Sequence, residues 1–208
     1  MAGGTPNVKH LWIQDPSGLG DPAVVNESTP EYPGSVGKVG NLKEAAGLRT
    51  KVLQYVKRVA TDTTIAAVEG NLAYWKDQDD FVVCADQTLA IGGSTVPLPA
   101  GVFLGTLPAA GNYGYIQVAG TFALDQGGNN ALNVLAGDEL FVMAAATDQA
   151  TSGKVCIPVW TSSGCTTAAD IAASVLMLRQ SPVGRAIEGE ADSTVTVDAL
   201  LTIAHNGW

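Results

Sequence analysis

Tyr113-Gly114-Tyr115-Ile116-Gln117-Val118-Ala119-Gly120-Thr121-Phe122-Ala123-Leu124 is the stretch on which the fold turns. Ile116, Val118, Phe122 and Leu124 fall on one side of an extended chain, and Tyr115, Gln117 and Thr121 on the other. That alternation predicts a central strand. Asp125-Gln126-Gly127-Gly128-Asn129-Asn130 follows it as a hairpin tip. Beyond the tip, Leu140–Ala144 and Val155–Trp160 continue as strands. Near the end, Val195, Val197, Ala199, Leu201 and Ile203 alternate with Thr194, Thr196, Asp198, Leu200 and Thr202, the cleanest period-2 signal in the chain.

Working backwards, Val102-Phe103-Leu104 follows a Pro97–Gly101 corner, and Leu72–Trp75 and Phe81–Ala85 flank the acidic turn Lys76–Asp80. Val52–Val59 reads as a strand. A helix over Leu42–Ala60 competes with it, because Val52, Tyr55, Val56 and Val59 also share a helical face; Gly47 and the β-branched content favour the strand. Thr167-Ala168-Ala169-Asp170 has capping-box spacing and predicts one helix running to Leu178, although Val175–Leu178 reads equally well as a buried strand. Short strands separated by Gly- and Pro-rich turns imply an all-β fold, a β-barrel or β-sandwich with at most one short helix.

Residues 1–47 differ in texture from residues 48–208. Pro6, Pro16, Pro22, Pro30 and Pro33 interrupt any helix, and no period survives among the intervening glycines. The expectation is an extended N-terminal arm followed by a β-rich body. Leu11, Trp12, Ile13 and Tyr32 are spaced apolar anchors in that arm, suited to grooves on a partner.

Composition excludes several classes. Lys plus Arg is 11 and Asp plus Glu is 20, so the formal charge is −9, which argues against nucleic acid as a partner. With 46% hydrophobic and only 15% charged residues, the chain is not disordered, and its sparse charge suits a surface covered by partners. Its start lacks the basic and apolar regions of a signal peptide. The longest apolar run, Leu140–Ala146, is too short to span a bilayer, so no membrane association is expected. Cys84, Cys156 and Cys165 are an odd set without metal-ligand spacing, and the turn at Ser162-Ser163 would set Cys165 opposite Trp160 rather than Cys156. Free thiols and synthesis in a reducing cytoplasm follow.

Catalytic chemistry is sparse. The two histidines, His10 and His205, lie near the ends of the chain, poorly placed for a Ser–His–Asp arrangement. Gly18-Leu19-Gly20-Asp21-Pro22-Ala23 has dinucleotide-loop glycine spacing, but Pro22 stands where the helix should begin. Asp77, Asp79 and Asp80 lack the rest of a calcium loop, and Glu188, Glu190 and Asp192 read as one solubilising strand face. Tyr115, Gln117 and Thr121 have the character of a sugar-binding strip, and of any outward sheet face. No enzyme and no cofactor are expected.

Several stretches carry a family resemblance. Leu48-Arg49 with Gln54-Tyr55-Val56-Lys57, then Ala100–Gly105, Gly111–Gly120, Ala136-Gly137-Asp138-Glu139-Leu140 and Val183–Glu188, resemble in order the strand motifs of small β-rich head proteins of tailed bacteriophages. The resemblance covers roughly residues 48–203, while the Pro-rich start and Thr166–Arg179 depart from it. It implies a capsid decoration or cement protein on the outer head surface of a virion, with the major capsid protein and copies of itself for partners; separately, shell symmetry favours docking at threefold positions and so a trimer. A tail or neck protein, or a carbohydrate-binding adhesion module, is the alternative. No catalytic residue transfers.

Overall fold

The computed structural model describes residues 25–30, 36–37, 39–43, 50–93, 95–106, 108–126, 134–142, 153–157, 182–189 and 196–203. Ten strands are formed among them: β1 Val39–Lys43, β2 Thr50–Arg58, β3 Leu72–Asp77, β4 Val82–Cys84, β5 Pro99–Phe103, β6 Tyr113–Asp125, β7 Glu139–Val142, β8 Val155–Cys156, β9 Gly184–Ala186 and β10 Thr196–Thr202. The only helical turn among the described residues is the 3₁₀ segment Gln87–Leu89, capped by the Asp86 carboxylate accepting from the Thr88 amide at 2.8 Å. The fold is all-β, as the alternation around Ile116 predicts.

Five strands close on themselves. Hydrogen bonding runs β2-β4-β3-β5-β6, and β6 pairs back onto β2 from Tyr113↔Lys57 to Ala119↔Val52. Closure removes the free edges that a five-stranded sheet would otherwise expose. Val56 from β2, Ala73 and Trp75 from β3, Val83 from β4, Ala100 and Phe103 from β5, and Ile116 and Val118 from β6 form one buried cluster with contributions from every strand of the ring. It is the barrel interior. Alanines at two of these positions, Ala73 and Ala100, leave room for the Trp75 and Phe103 rings.

A second cluster lies against the outside of the barrel wall. Leu72, Tyr74, Cys84 and Val102 reach it from β3, β4 and β5, and Leu140, Val142, Val155, Ala186, Val197, Ala199 and Leu201 come from β7–β10. Leu72-Ala73-Tyr74-Trp75 is consequently buried at every position, alternate residues entering alternate cores. A strand covered on both faces loses its polar alternation.

β6 connects the two cores. Its first half pairs with β2 and β5, and its second half, Ala119–Asp125, pairs with β10. The register slips between Leu53↔Gln117 and Val52↔Ala119, which leaves Val118 as the extra residue of a bulge. Gly120 follows at φ +94°, a conformation costly for any residue with a Cβ. The apolar face of one strand thus serves two compartments: Ile116 and Val118 fill the barrel, whereas Leu124 enters the outer core and Phe122 packs against it.

Three sequence expectations need correction. Val39–Lys43, inside the stretch read as an arm without regular structure, is a strand paired antiparallel with β2. It carries no recognisable alternation because it is an edge strand whose partner supplies the order. Pro99-Ala100-Gly101, read as a corner, is the start of β5, with Pro99 placed at its first residue where no amide donor is required. Glu188 lies beyond the end of β9, so it shares no strand face with Glu190 and Asp192, which are outside the described residues. The Thr167–Leu178 segment and Cys165 also lie outside them.

Candidate attachment surface

Residues 25–30 lie along the start of β6. The Glu27 amide donates to the Tyr113 carbonyl at 3.0 Å, and the Tyr113 amide returns a bond to the Glu27 carbonyl at 2.8 Å. Gly114 permits this approach: a Cβ there would stand 2.7 Å from the Val25 carbonyl oxygen. The Asn26 side-chain oxygen accepts from the Ala109 amide at 2.8 Å and from Asn112 Nδ2 at 3.0 Å. The Tyr55 hydroxyl donates to the Glu27 carboxylate. Further along, the Gly37 amide donates to the Tyr55 carbonyl at 2.6 Å, and Gln54 Nε2 donates to the Gly37 carbonyl at 2.9 Å.

An aromatic platform lies under this segment. Tyr55 stacks on Tyr113 at 6.1 Å between ring centroids and tilts against Tyr115 at 4.9 Å. The Lys57 ammonium sits 5.4 Å from the Tyr113 centroid, a cation–π contact worth about 0.5–1 kcal/mol at such a site. Residues 26, 27 and 37 are therefore tied to the wall of the barrel. Leu11, Trp12, Ile13 and Tyr32 themselves lie outside the described residues. Sequence reasoning missed the tether, and its trace is Gly114: a glycine inside a strong strand pattern marks close backbone approach.

One end of the barrel holds a buried ion pair. Arg58 Nε donates to Asp62 Oδ2 at 2.6 Å, and its two terminal nitrogens donate to the carbonyls of Pro108 at 3.2 Å, Asp62 at 3.0 Å and Ile65 at 2.5 Å. The Asp62 carboxylate also accepts from the amides of Ala85 at 2.7 Å and Asp86 at 3.2 Å. Both side chains are buried, and the guanidinium lies 6.0 Å from the Phe103 centroid. This network joins the exits of β2 and β4 to two loops. Its groups satisfy one another, which makes it a structural plug.

The other candidate residues are placed as follows. Gln117 is fully buried and donates to the Ala119 and Thr121 carbonyls at 3.1 and 3.0 Å, and Tyr115 leans on Tyr55, so Tyr115, Gln117 and Thr121 do not form an open strip. Asp77 Oδ1 accepts from the Asp79 and Asp80 amides at 3.0 and 3.2 Å, closing the β3–β4 turn. Among the described residues, no three His, Cys, Asp or Glu side chains are grouped as metal ligands. Cys84 and Cys156 are buried, and burial pushes both thiols up to about 12. Burial also raises the Tyr74 hydroxyl, which accepts from Gln87 Nε2 at 2.8 Å and the Gly153 amide at 3.1 Å. Among the described residues, no helix is long and apolar enough to cross a membrane.

Fold and surface together define an all-β protein in which a closed barrel carries an open sheet on one flank and a tethered N-terminal segment on its wall. No family model matches the chain, and no curated protein matches it. Among solved structures it is similar to the N base of the head fibre gp8.5 of bacteriophage phi29, with 13% identity and a TM-score of 0.37, over 76% of this chain and 99% of that one. Of the five stretches quoted above, Gln54–Lys57 falls on β2 and the other four fall on or immediately before β5, β6, β7 and β9.

Proposed function

We propose that this chain is a bacteriophage virion structural protein, a decoration or cement protein that binds the outer head surface and holds neighbouring capsomers together. The observation that carries this reading is the tether: Glu27, Asn26 and Gly37 are fastened to the barrel wall, and the expected anchors Leu11, Trp12 and Ile13 precede that fixed point in the sequence. A clamp needs that division between a rigid body and a reaching segment. Burial of apolar anchors contributes about 25 cal/mol per Å², enough to reinforce a shell without chemistry. The motif resemblance supplies the phage setting, and the charge of −9 suits an exterior position away from packaged DNA. The partners would be the major capsid protein and further copies of this chain.

Antibody labelling of particles purified from the encoding source tests the assignment. Label over the outer head surface is the expected result. Label confined to tail or neck, or absence of the chain from purified particles, overturns it.

A further inference from the structure

β10 presents Thr196, Asp198 and Leu200 to solvent, and Leu200 breaks an otherwise polar face. The register sets Leu200 beside Arg185 on β9 and Thr121 on β6, and Asp198 beside the exposed Ala123. Ile187 follows through its amide bond to the Asp198 carbonyl at 2.8 Å, and the turn bearing Leu135 abuts Gly189. Leu200 is 48% exposed, Ile187 39% and Leu135 64%. These are three of the five large apolar side chains left exposed among the described residues, and they share one flank of the open sheet.

We infer that this β10–β9–β7 face is a self-association surface whose occupant is the same face of a second copy. Charge is the first argument. A chain of net charge −9 repels its own kind over most of its surface, but here Arg185 is exposed, with Leu200 opposite it on β10, Asp198 on the diagonal and Glu139 paired with it at 3.3 Å on β7. That mixed pattern is self-complementary about a two-fold axis: Arg185 of each copy meets acidic residues of the other, and the apolar side chains meet between them. Area is the second argument. The three strands hold 14 residues, which at a rise of about 3.3 Å and a strand spacing of about 4.8 Å give a face of roughly 220 Å². A standard stable interface buries about 800 Å² on each partner. The contact is therefore weak in free solution and becomes effective when copies are held side by side. It does not depend on the virion reading, so the two fail separately.

Sedimentation equilibrium of the full-length chain tests it, over about 0.05–1 mM, the range in which weak contacts populate. The wild type is expected to rise with concentration above its monomer mass of 21.3 kDa. Leu200→Asp and, independently, Ile187→Lys should weaken association at least about tenfold, or about 1.4 kcal/mol. Leu98→Asp, which adds the same charge at a different exposed apolar site, should leave it unchanged. Matching circular dichroism and melting temperatures establish that the variants fold. A monomer throughout the range, a tight oligomer indifferent to Leu200→Asp, or equal effects of Leu200→Asp and Leu98→Asp would each overturn the inference.

Discussion

The barrel and the sheet appended to it share one strand, yet they solve the problem of burial differently. The barrel closes, fills its interior from five strands and seals one end with a desolvated Arg58–Asp62 pair. The sheet of β7–β10 remains open, buries one face against the barrel wall, and leaves its ion pair, Arg185–Glu139 at 3.3 Å, largely in water. Closure makes a scaffold that needs no partner at its edges. Among the described residues, openness leaves a face and an edge of the sheet without a strand partner. The difference teaches that β6 is a shared beam, and that the two halves should respond differently to the same kind of damage.

The sharpest contrast is between the ion pairs. Removing Asp62 strands a buried guanidinium and unpairs the Ala85 and Asp86 amides. Asp62→Ala should lower unfolding free energy by about 3–5 kcal/mol in urea titration. Glu139→Ala should change it by less than about 1 kcal/mol, since exposed pairs are screened. Equal losses would break the comparison.

Truncation on either half of β6 comes next. Ile116→Ala and Leu124→Ala, both fully buried sites, should each cost about 2–5 kcal/mol. Native-state hydrogen exchange then separates them: Leu124→Ala should speed exchange in β7–β10 before the barrel, and Ile116→Ala should speed both together. Uniform acceleration in both variants would show one cooperative unit.

Alkaline pH probes the outer core. Cys84 and Tyr74 contribute to it, and Cys156 sits in β8 at its margin. Each is held neutral by burial, so its folded value lies above the unfolded one. The stability they contribute is complete below about pH 9 and is lost as pH rises towards 12, because the unfolded chain ionises first. Melting temperature should fall above pH 9 through the two thiols and more steeply above pH 10 as Tyr74 joins them, by the equivalent of about 1.4 kcal/mol per pH unit for each group. A flat profile from pH 8.5 to 11 would contradict their burial. At the bend, Gly120→Ala, at φ +94°, should cost about 1–2 kcal/mol by thermal melting.

Much of this architecture was legible in the sequence. Period-2 alternation located β6 and β10, and β-branched content separated β2 from the competing helix. What escaped has physical causes. The double burial of Leu72–Trp75 erases alternation, so the strand was visible but its two cores were not. β1 takes its order from β2 by pairing, which leaves no local pattern to read. The parallel pairing of β2 with β4 depends on ring closure, a property of the whole chain. Of the candidate site, Leu11, Trp12, Ile13 and Tyr32 are proposed from the sequence and lie outside the described residues, whereas the tether at Glu27 depends on Tyr55 and Tyr113, distant in sequence.

The account rests most directly on the arm acting as a clamp from a fixed root. The measurement is occupancy of heads by the full-length chain, by Trp12→Ala and by a chain beginning at Val25, followed by heat challenge of the loaded particles. The truncated chain should keep its fold, load at least about tenfold less and confer little heat resistance, with Trp12→Ala falling between, because aromatic anchors dominate contact energies. Equal loading and equal heat resistance for all three would contradict the clamp and transfer attachment to the barrel and its open sheet.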